Sequence, residues 1–340
     1  MSSATRLALW VASIAWVPVI AGCVSDLLPG ETVVGVDVPA KRWDGSVGDR
    51  FGASVAPGFA TAPGVLALRT LDGGAGDDGG AGDDGAVGQV AGVAALWVGE
   101  GAGRVYAAGE GGLWWRDGAL QDATFEGGRW AAGPAGVVVA DAKGWWLPEQ
   151  QVGVKVQDIG AVALGEERVL AAVCNPFCTA RSWTLDGAEV AIDLPVAVGG
   201  ALGEWQGVAW AGSPDDDAAD GAGRVCNEHG DCIEGLIGDH LGRTIGGGYA
   251  AGTFNKWVVP ARARIVPLNG TTEGETSLSD EVLVLEAGAE DQPLALAGST
   301  GDSGAGVGAL SLWIGAPYFA QQGQPGGVVY RVDLDGRSAE

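Results

Sequence analysis

Ala209-Trp210-Ala211-Gly212-Ser213-Pro214 leads through a turn into Gly223-Arg224-Val225-Cys226, and the pattern returns as Leu312-Trp313-Ile314-Gly315-Ala316-Pro317 followed by Gly327-Val328-Val329-Tyr330. A third copy runs Leu96-Trp97-Val98-Gly99 and ends in Gly103-Arg104-Val105-Tyr106. Each copy reads as a buried strand, a glycine turn of variable length and a return strand. A second unit also recurs, as Gly48-Asp49-Arg50-Phe51-Gly52-Ala53-Ser54-Val55 and as Gly238-Asp239-His240-Leu241-Gly242-Arg243-Thr244-Ile245. A weaker copy begins at Gly301-Asp302 and runs through Gly306-Val307-Gly308. Repeated units of this kind bury their faces only by stacking on one another.

Outward from the repeats, the chain reads as short β segments between glycine-rich turns, among them Val33 to Val38, Gly136 to Ala140, Val282 to Leu285 and Gly327 to Val332. Of 340 residues 61 are glycine, and each glycine inside a helix would cost about 1 kcal/mol. No long stretch keeps a 3.6-residue apolar period, so an all-β fold is expected. Asp117-Gly118, Asp186-Gly187 and Asp335-Gly336 suit hairpin turns. Hydrophobic residues make up 47% of the chain, enough to build a core. The formal net charge of -24 argues against a nucleic-acid partner, because phosphate binding rests on lysine and arginine. Two histidines leave little material for histidine-centred acid–base chemistry.

The Phe51-Gly52 and Gly315-Ala316-Pro317 elements resemble FG-GAP repeats, the blade units of integrin-alpha-like β-propellers. The resemblance implies a β-propeller of about seven four-stranded blades, with six or eight also fitting the length. Seven blades give about 45 residues each, within the range of propeller repeats. Thr32 to Val38, where Val34, Val36 and Val38 alternate, is expected to pair with Gly327 to Asp333 and close the ring. The uneven spacing of Gly48, Gly238 and Gly301 requires insertions and keeps another stacked or sandwiched all-β fold as the rival. One insertion is the Gly/Asp loop 72–85, with too little apolar surface to pack.

Arg6 and the apolar run Leu7 to Gly22 have the form of a secretory signal, and Ile20-Ala21-Gly22-Cys23 resembles a bacterial lipobox. The expected organisation is a lipoprotein signal peptide at 1–22, a short tether at 23–30 and one propeller domain at 31–340. Cys23 would carry the lipid and the membrane would be reached through it. The rival is an uncleaved anchor, for which the run is short of the ~20 residues of a span. Export would oxidise the four other cysteines, and Cys174 with Cys178 and Cys226 with Cys232 are close enough to staple local loops. A zinc site from these thiols, or from Cys226, His229 and Cys232, uses the right residue types at untypical spacings.

The resemblance also implies calcium between the FG and GAP elements. No aspartate lies between Phe51 and Arg69 or between Leu241 and Arg262, so no cofactor is expected to be required. Asp215, Asp217 and Asp220 are the remaining calcium candidates, hard oxygen ligands on one turn. A solvated acidic loop is the plainer reading of that turn, and of the Asp77 to Asp84 segment with its six-residue period. Gly301-Asp302-Ser303-Gly304 resembles a serine-protease nucleophile segment without a matching histidine. Trp114-Trp115 and Trp145-Trp146 are adjacent pairs whose rings point to opposite faces of a strand, so one ring of each is a candidate contact for sugar or aromatic groups.

The combined reading is a lipid-anchored, exported, non-enzymatic binding or adhesion module at the outer membrane or cell surface, with a protein or glycan ligand. The competing class is an extracytoplasmic polysaccharide hydrolase or lyase on the same scaffold. Convergent Asp, Glu and Arg on the axis would mark the enzyme, and an open apolar or tryptophan-rich rim would mark the binder.

Overall fold

A computed structural model describes residues 31–334 except 39, 72–86, 90–94, 110–113, 117–118, 122–127, 216–220, 254, 256–261, 269–281, 287–293, 301–309 and 322–323. The described residues contain no α-helix, and their strands form one five-stranded sheet, six four-stranded sheets and a two-stranded hairpin. The seven larger sheets are the blades of a β-propeller.

The chain enters through β1 (Glu31–Val33) and β2 (Ala40–Asp44), which belong to the last two blades. Blade 1 is β3 (Val55–Ala56), β4 (Phe59–Ala62), β5 (Ala67–Leu71) and β6 (Val87–Gln89). Blade 2 is β7 (Trp97–Gly101), β8 (Arg104–Ala108), β9 (Trp114–Arg116) and β10 (Ala119–Gln121). Blade 3 follows as β11 (Arg129–Gly133), β12 (Gly136–Asp141), β13 (Gly144–Leu147) and β14 (Val152–Val154). In blade 4 the strands are β15 (Ile159–Leu164), β16 (Arg168–Cys174), β17 (Cys178–Thr184) and β18 (Glu189–Val190). Blade 5 holds β19 (Leu202–Trp205), β20 (Val208–Ser213), β21 (Arg224–Asn227) and β22 (Cys232–Glu234). Blade 6 comprises β23 (Thr244–Gly246), β24 (Tyr249–Ala251), β25 (Arg262–Pro267) and β26 (Val282–Glu286), with β1 as a fifth, outermost strand. Blade 7 is β27 (Ala295–Thr300), β28 (Leu310–Ala316) and β31 (Val328–Asp333), with β2 outermost and the hairpin of β29 (Ala320–Gln321) and β30 (Gln324–Pro325) between β28 and β31.

Ring closure is direct. The innermost strands β3, β7, β11, β15, β19, β23 and β27 each pack beside the next, and β27 packs beside β3. Seven apolar clusters fill the seven seams, one to a seam. No blade buries both of its faces alone, so the seams carry the core. Glycine serves the inner wall by its size: a Cβ on Gly133 would stand 1.8 Å from the Leu164 carbonyl oxygen, and one on Gly246 would stand 2.3 Å from that of Leu296. The hairpins between first and second strands also use glycine, as in Ala102-Gly103 and Gln206-Gly207, where both residues of each turn have positive φ.

The two sequence repeats prove to be halves of one junction. Phe51 bridges to Gly327 and Leu241 bridges to Gly223 in parallel, each in the loop that carries the chain from one blade to the next. A Cβ on Gly315 would stand 2.1 Å from the Gly52 oxygen, and one on Gly212 would stand 2.0 Å from that of Gly242. Thus Trp-x-Gly on a second strand seats the Gly-Asp-x-(Phe/Leu)-Gly loop leading to the following blade. Leu96 to Gly99 is out of phase with the other copies, because Trp97 lies on an innermost strand while Trp210 and Trp313 lie on second strands. The Gly301 copy lies outside the described residues.

Closure uses a different segment from the one expected. The partner of β31 is β2, antiparallel from Ala40↔Val332 to Asp44↔Val328. Residues 31–33 instead pair in parallel with β26, Glu31↔Val282 to Val33↔Val284. Val34 and Val38 enter the seam between blades 6 and 7, while Val36 sits on the turn at 77% exposure. The valine alternation therefore spans a turn, whose Gly35 has φ +83°.

Strand direction defines two faces. The entry face is the end at which every innermost strand begins; it holds the loops between blades and those between second and third strands. The exit face holds the remaining turns. The Gly/Asp loop 72–85 lies outside the described residues.

Candidate functional site

The innermost strands of all seven blades line an axial cavity of about 730 Å³. Much of its wall is backbone, at Gly99, Gly101, Gly133, Gly203, Gly246 and Gly298. Its large side chains are Trp97, Trp130 and Trp205, all half-buried. Trp97 and Trp130 stack with centroids 6.2 Å apart and planes 25° apart, at the inner edge of the seam between blades 2 and 3. Trp205 ends β19 and packs on Gly248 at the seam between blades 5 and 6.

Among the described lining residues the carboxylates are Glu100 and Glu204, and the cation is Arg243. Glu204 is committed to structure. Arg168 Nε donates to it at 2.6 Å, and the Glu166 N–H donates at 2.9 Å. The same guanidinium binds both oxygens of Glu228, at 2.9 and 2.5 Å, and the Gly207 carbonyl at 2.7 Å, joining blade 4 to blade 5. The Glu228 hydrogen bonds, with smaller help from Glu204, hold the Arg168 pKa above its ordinary value. Burial works to raise the Glu228 carboxyl, but hydrogen bonds from Arg168 and the Ala209 N–H outweigh it, so Glu228 lies below the usual carboxylate range. Arg243 stands 3.8 Å from Asp215. Glu204 and Arg243 are held in ion pairs at the wall, whereas the tryptophans supply apolar ring surface to the cavity.

The candidates drawn from sequence are scattered. Cys23 lies outside the described residues. Trp145 is buried in the seam between blades 3 and 4, tilted against Trp183 at 5.9 Å. Trp146, on the opposite face of β13, is half-buried. Trp114 and Trp115 lie on β9 opposite Gln121 and Leu120, and their side chains are outside the described residues. Asp215 is exposed and faces the His240 ring at 3.5 Å and the Arg243 guanidinium at 3.8 Å. Asp217 and Asp220 lie outside the described residues. No group of three or more His, Cys, Asp or Glu that could hold a metal ion occurs among the described residues. The cysteines form two disulfides, Cys174–Cys178 at the entry-face end of blade 4 and Cys226–Cys232 between the third and fourth strands of blade 5.

The aspartates of the Gly-Asp units have structural tasks. Asp49 accepts from the Ser46 N–H at 3.2 Å and lies 3.8 Å from Arg69 on β5. Asp239 accepts from the Leu236 N–H and from Asn255, each at 2.9 Å, and lies 3.4 Å from Arg264 on β25. Burial raises the Asp239 pKa against the pull of these donors.

The cavity tryptophans Trp130 and Trp205 were not singled out by sequence. Their signal is positional, each standing on a first strand, Trp130 near its start and Trp205 at its end, and it becomes visible only once strands are numbered within blades. No protein-family model matches this chain, and no curated protein does. Among solved structures the chain is similar to one in a complex from S. cerevisiae, described as a Dbp5 variant bound to Nup159, a Gle1 variant, IP6 and ADP; identity is 8%, TM-score 0.41, and coverage 89% of this chain and 99% of that one.

Proposed function

We propose that this protein is an exported, lipid-anchored, non-enzymatic binding module of the bacterial cell envelope, and that its axial cavity receives an uncharged glycan segment. The observation that carries the reading is the tryptophan-lined wall. Three indole rings border the cavity, where aromatic faces offer stacking surface of about 0.5–1.5 kcal/mol each beyond burial. The net charge of -24 disfavours an acidic ligand. Two disulfides favour an oxidising compartment, and the lipobox-like Cys23 supports the anchor. The junction loops around Phe51 and Leu241 occupy equivalent places between blades, which favours the FG-GAP resemblance and, by analogy, adhesion.

The test is a titration of the full-length protein with tetrasaccharides of glucose, N-acetylglucosamine and galacturonic acid, followed by tryptophan fluorescence. A neutral sugar should shift the emission, galacturonate should not, and Trp97→Leu should lose the response. Release of reducing ends during the titration would show an enzyme. Silence toward all three sugars would overturn the glycan reading. Separately, Cys23→Ser should leave the membrane fraction; retention there would favour an uncleaved anchor.

A further inference from the structure

Nine large apolar side chains are exposed among the described residues, and their distribution is one-sided. Val47 sits in the loop from blade 7 to blade 1, and Val65 and Leu66 in the loop between β4 and β5. The Gly64 N–H donates to the Asp49 carbonyl at 2.9 Å, which sets these two loops side by side. Leu96 stands just before β7. Phe177, at 77% exposure, tips the loop closed by the Cys174–Cys178 disulfide on blade 4. Leu236 and Ile237 sit in the loop from blade 5 to blade 6, in the position that Ser46 and Val47 hold in the equivalent unit. All seven belong to entry-face connections. The other two, Val36 and Val190, lie on the outer rim, in the turn after β1 and on the edge strand β18.

Charge divides the same way. The exposed cations Arg50, Lys143, Lys155 and Arg243 stand among acids in entry-face loops. In the described exit-face turns the exposed charges Glu166, Glu167 and Asp186 are acidic, and Arg104 there is paired with Glu149 at 3.2 Å. The apolar tips also do not form one pocket. They stand on blade 1, on blade 4 and between blades 5 and 6, points spread around the ring that together define a plane. A partner that meets all of them is broad, and a bilayer interface, apolar just below its headgroups, is of that kind.

We infer that the entry face rests on the lipid bilayer, with Val47, Leu66, Phe177 and Ile237 set into the headgroup–acyl boundary. The inference rests on the proposed anchoring through Cys23. Eight residue steps separate Cys23 from Glu31, a reach of about 26–29 Å. A five-residue strand such as β26 spans roughly 17 Å, so the tether lets either face reach the membrane. The side chains decide: exposed apolar tips favour the interface, while anionic headgroups repel the acidic exit face. The exit mouth of the cavity, where Trp205 and Glu100 lie, then opens away from the membrane toward ligand.

The test uses full-length lipidated protein in vesicles of phosphatidylethanolamine and phosphatidylglycerol. Cys23 is acylated in this reading and the other cysteines are paired, so one added cysteine takes one nitroxide. Labels at Val47→Cys and Ile237→Cys should be accessible to oxygen and shielded from a water-soluble nickel chelate, and a label at Asp186→Cys should show the reverse. Protein that stays on the vesicles with labels at 47 and 237 as open to nickel as the label at 186 would overturn the inference, keep the anchor and leave the face to a protein partner. Protein that washes off the vesicles would overturn the anchor and the inference together.

Discussion

Trp43 of β2 stacks on Trp313 of β28, ring centroids 5.5 Å apart and planes 18° apart. One ring comes from the start of the chain and the other from its end, and both sit in the cluster that seals blade 7 against blade 1. Lys41 and Arg331 add cation–π contacts to the same pair, at 5.0 and 5.8 Å. Trp43 is the sole buried residue of its strand, so the closure hangs on it.

Trp43→Ala should therefore cost about 3–5 kcal/mol, the usual loss for a buried tryptophan, read as a lower urea midpoint. Removing 40–44 altogether should leave β31 with an unpaired edge and produce soluble aggregates on size exclusion. A monodisperse deletion protein with unchanged melting would show that β2 does not close the ring.

Glu31 lies 2.7 Å from Arg264 Nε, with the two side chains 7% and 6% exposed. Removing one charge of a buried pair costs about 3–5 kcal/mol because the other remains desolvated. Glu31→Gln should lower stability by an amount in that range, and Arg264→Lys, unable to span both Glu31 and Asp239, should behave similarly. Denaturant curves superimposable on the parent would refute the role of this pair.

The Arg168–Glu228 contact makes a pH-dependent contribution. Because the Glu228 pKa is lower in the folded protein than that of an ordinary glutamate, its stabilisation is present above the ordinary value and is lost as pH falls through the folded pKa. Glu228→Gln should cost about 2 kcal/mol at neutral pH, with the gap to the parent closing in acid. A gap that stays constant down to strongly acidic pH would assign the effect to packing.

Calcium should leave the melting temperature unchanged between chelator and millimolar ion, since Asp215 faces His240 and Arg243. Binding at a hundred times the dissociation constant would add about 2.7 kcal/mol. A large upward shift would place the ion on the turn of Asp215, Asp217 and Asp220 or on the Asp77 to Asp84 loop.

The fold was legible because Gly212 and Gly315 recur with the loops that seat on them, and Phe51 and Leu241 mark the same turn in two blades. The closing strand was misread for a physical reason. Val34, Val36 and Val38 alternate as a strand would, whereas Ala40 to Asp44 carries Lys41, Arg42 and Asp44 outward and a single inward tryptophan. An outermost strand needs no more than that one anchor, and its charged face looks like a linker. The cavity wall was illegible for another reason. Trp97 and Trp130 meet only because innermost strands of successive blades approach closely enough to exclude side chains at glycine. The contacts of Arg168 across to Glu204 and Glu228 lie 36 and 60 residues away in sequence and follow from the order of the blades.

The pairing of β1 with β26 and of β2 with β31 also sets a timetable. Thr32 donates to the Val282 carbonyl across 250 residues. During synthesis the amino-terminal strands emerge first and wait for partners that arrive almost last. Blades 1 to 5 complete themselves from contiguous chain, blade 6 takes β1 once β26 is made, and blade 7 remains open until β31 arrives. Contacts of such high order slow folding, and open strand edges are aggregation-prone in the interval. Closure is thus gated by the last strand, and a chain stalled before Val328 would carry six finished blades and no closed ring.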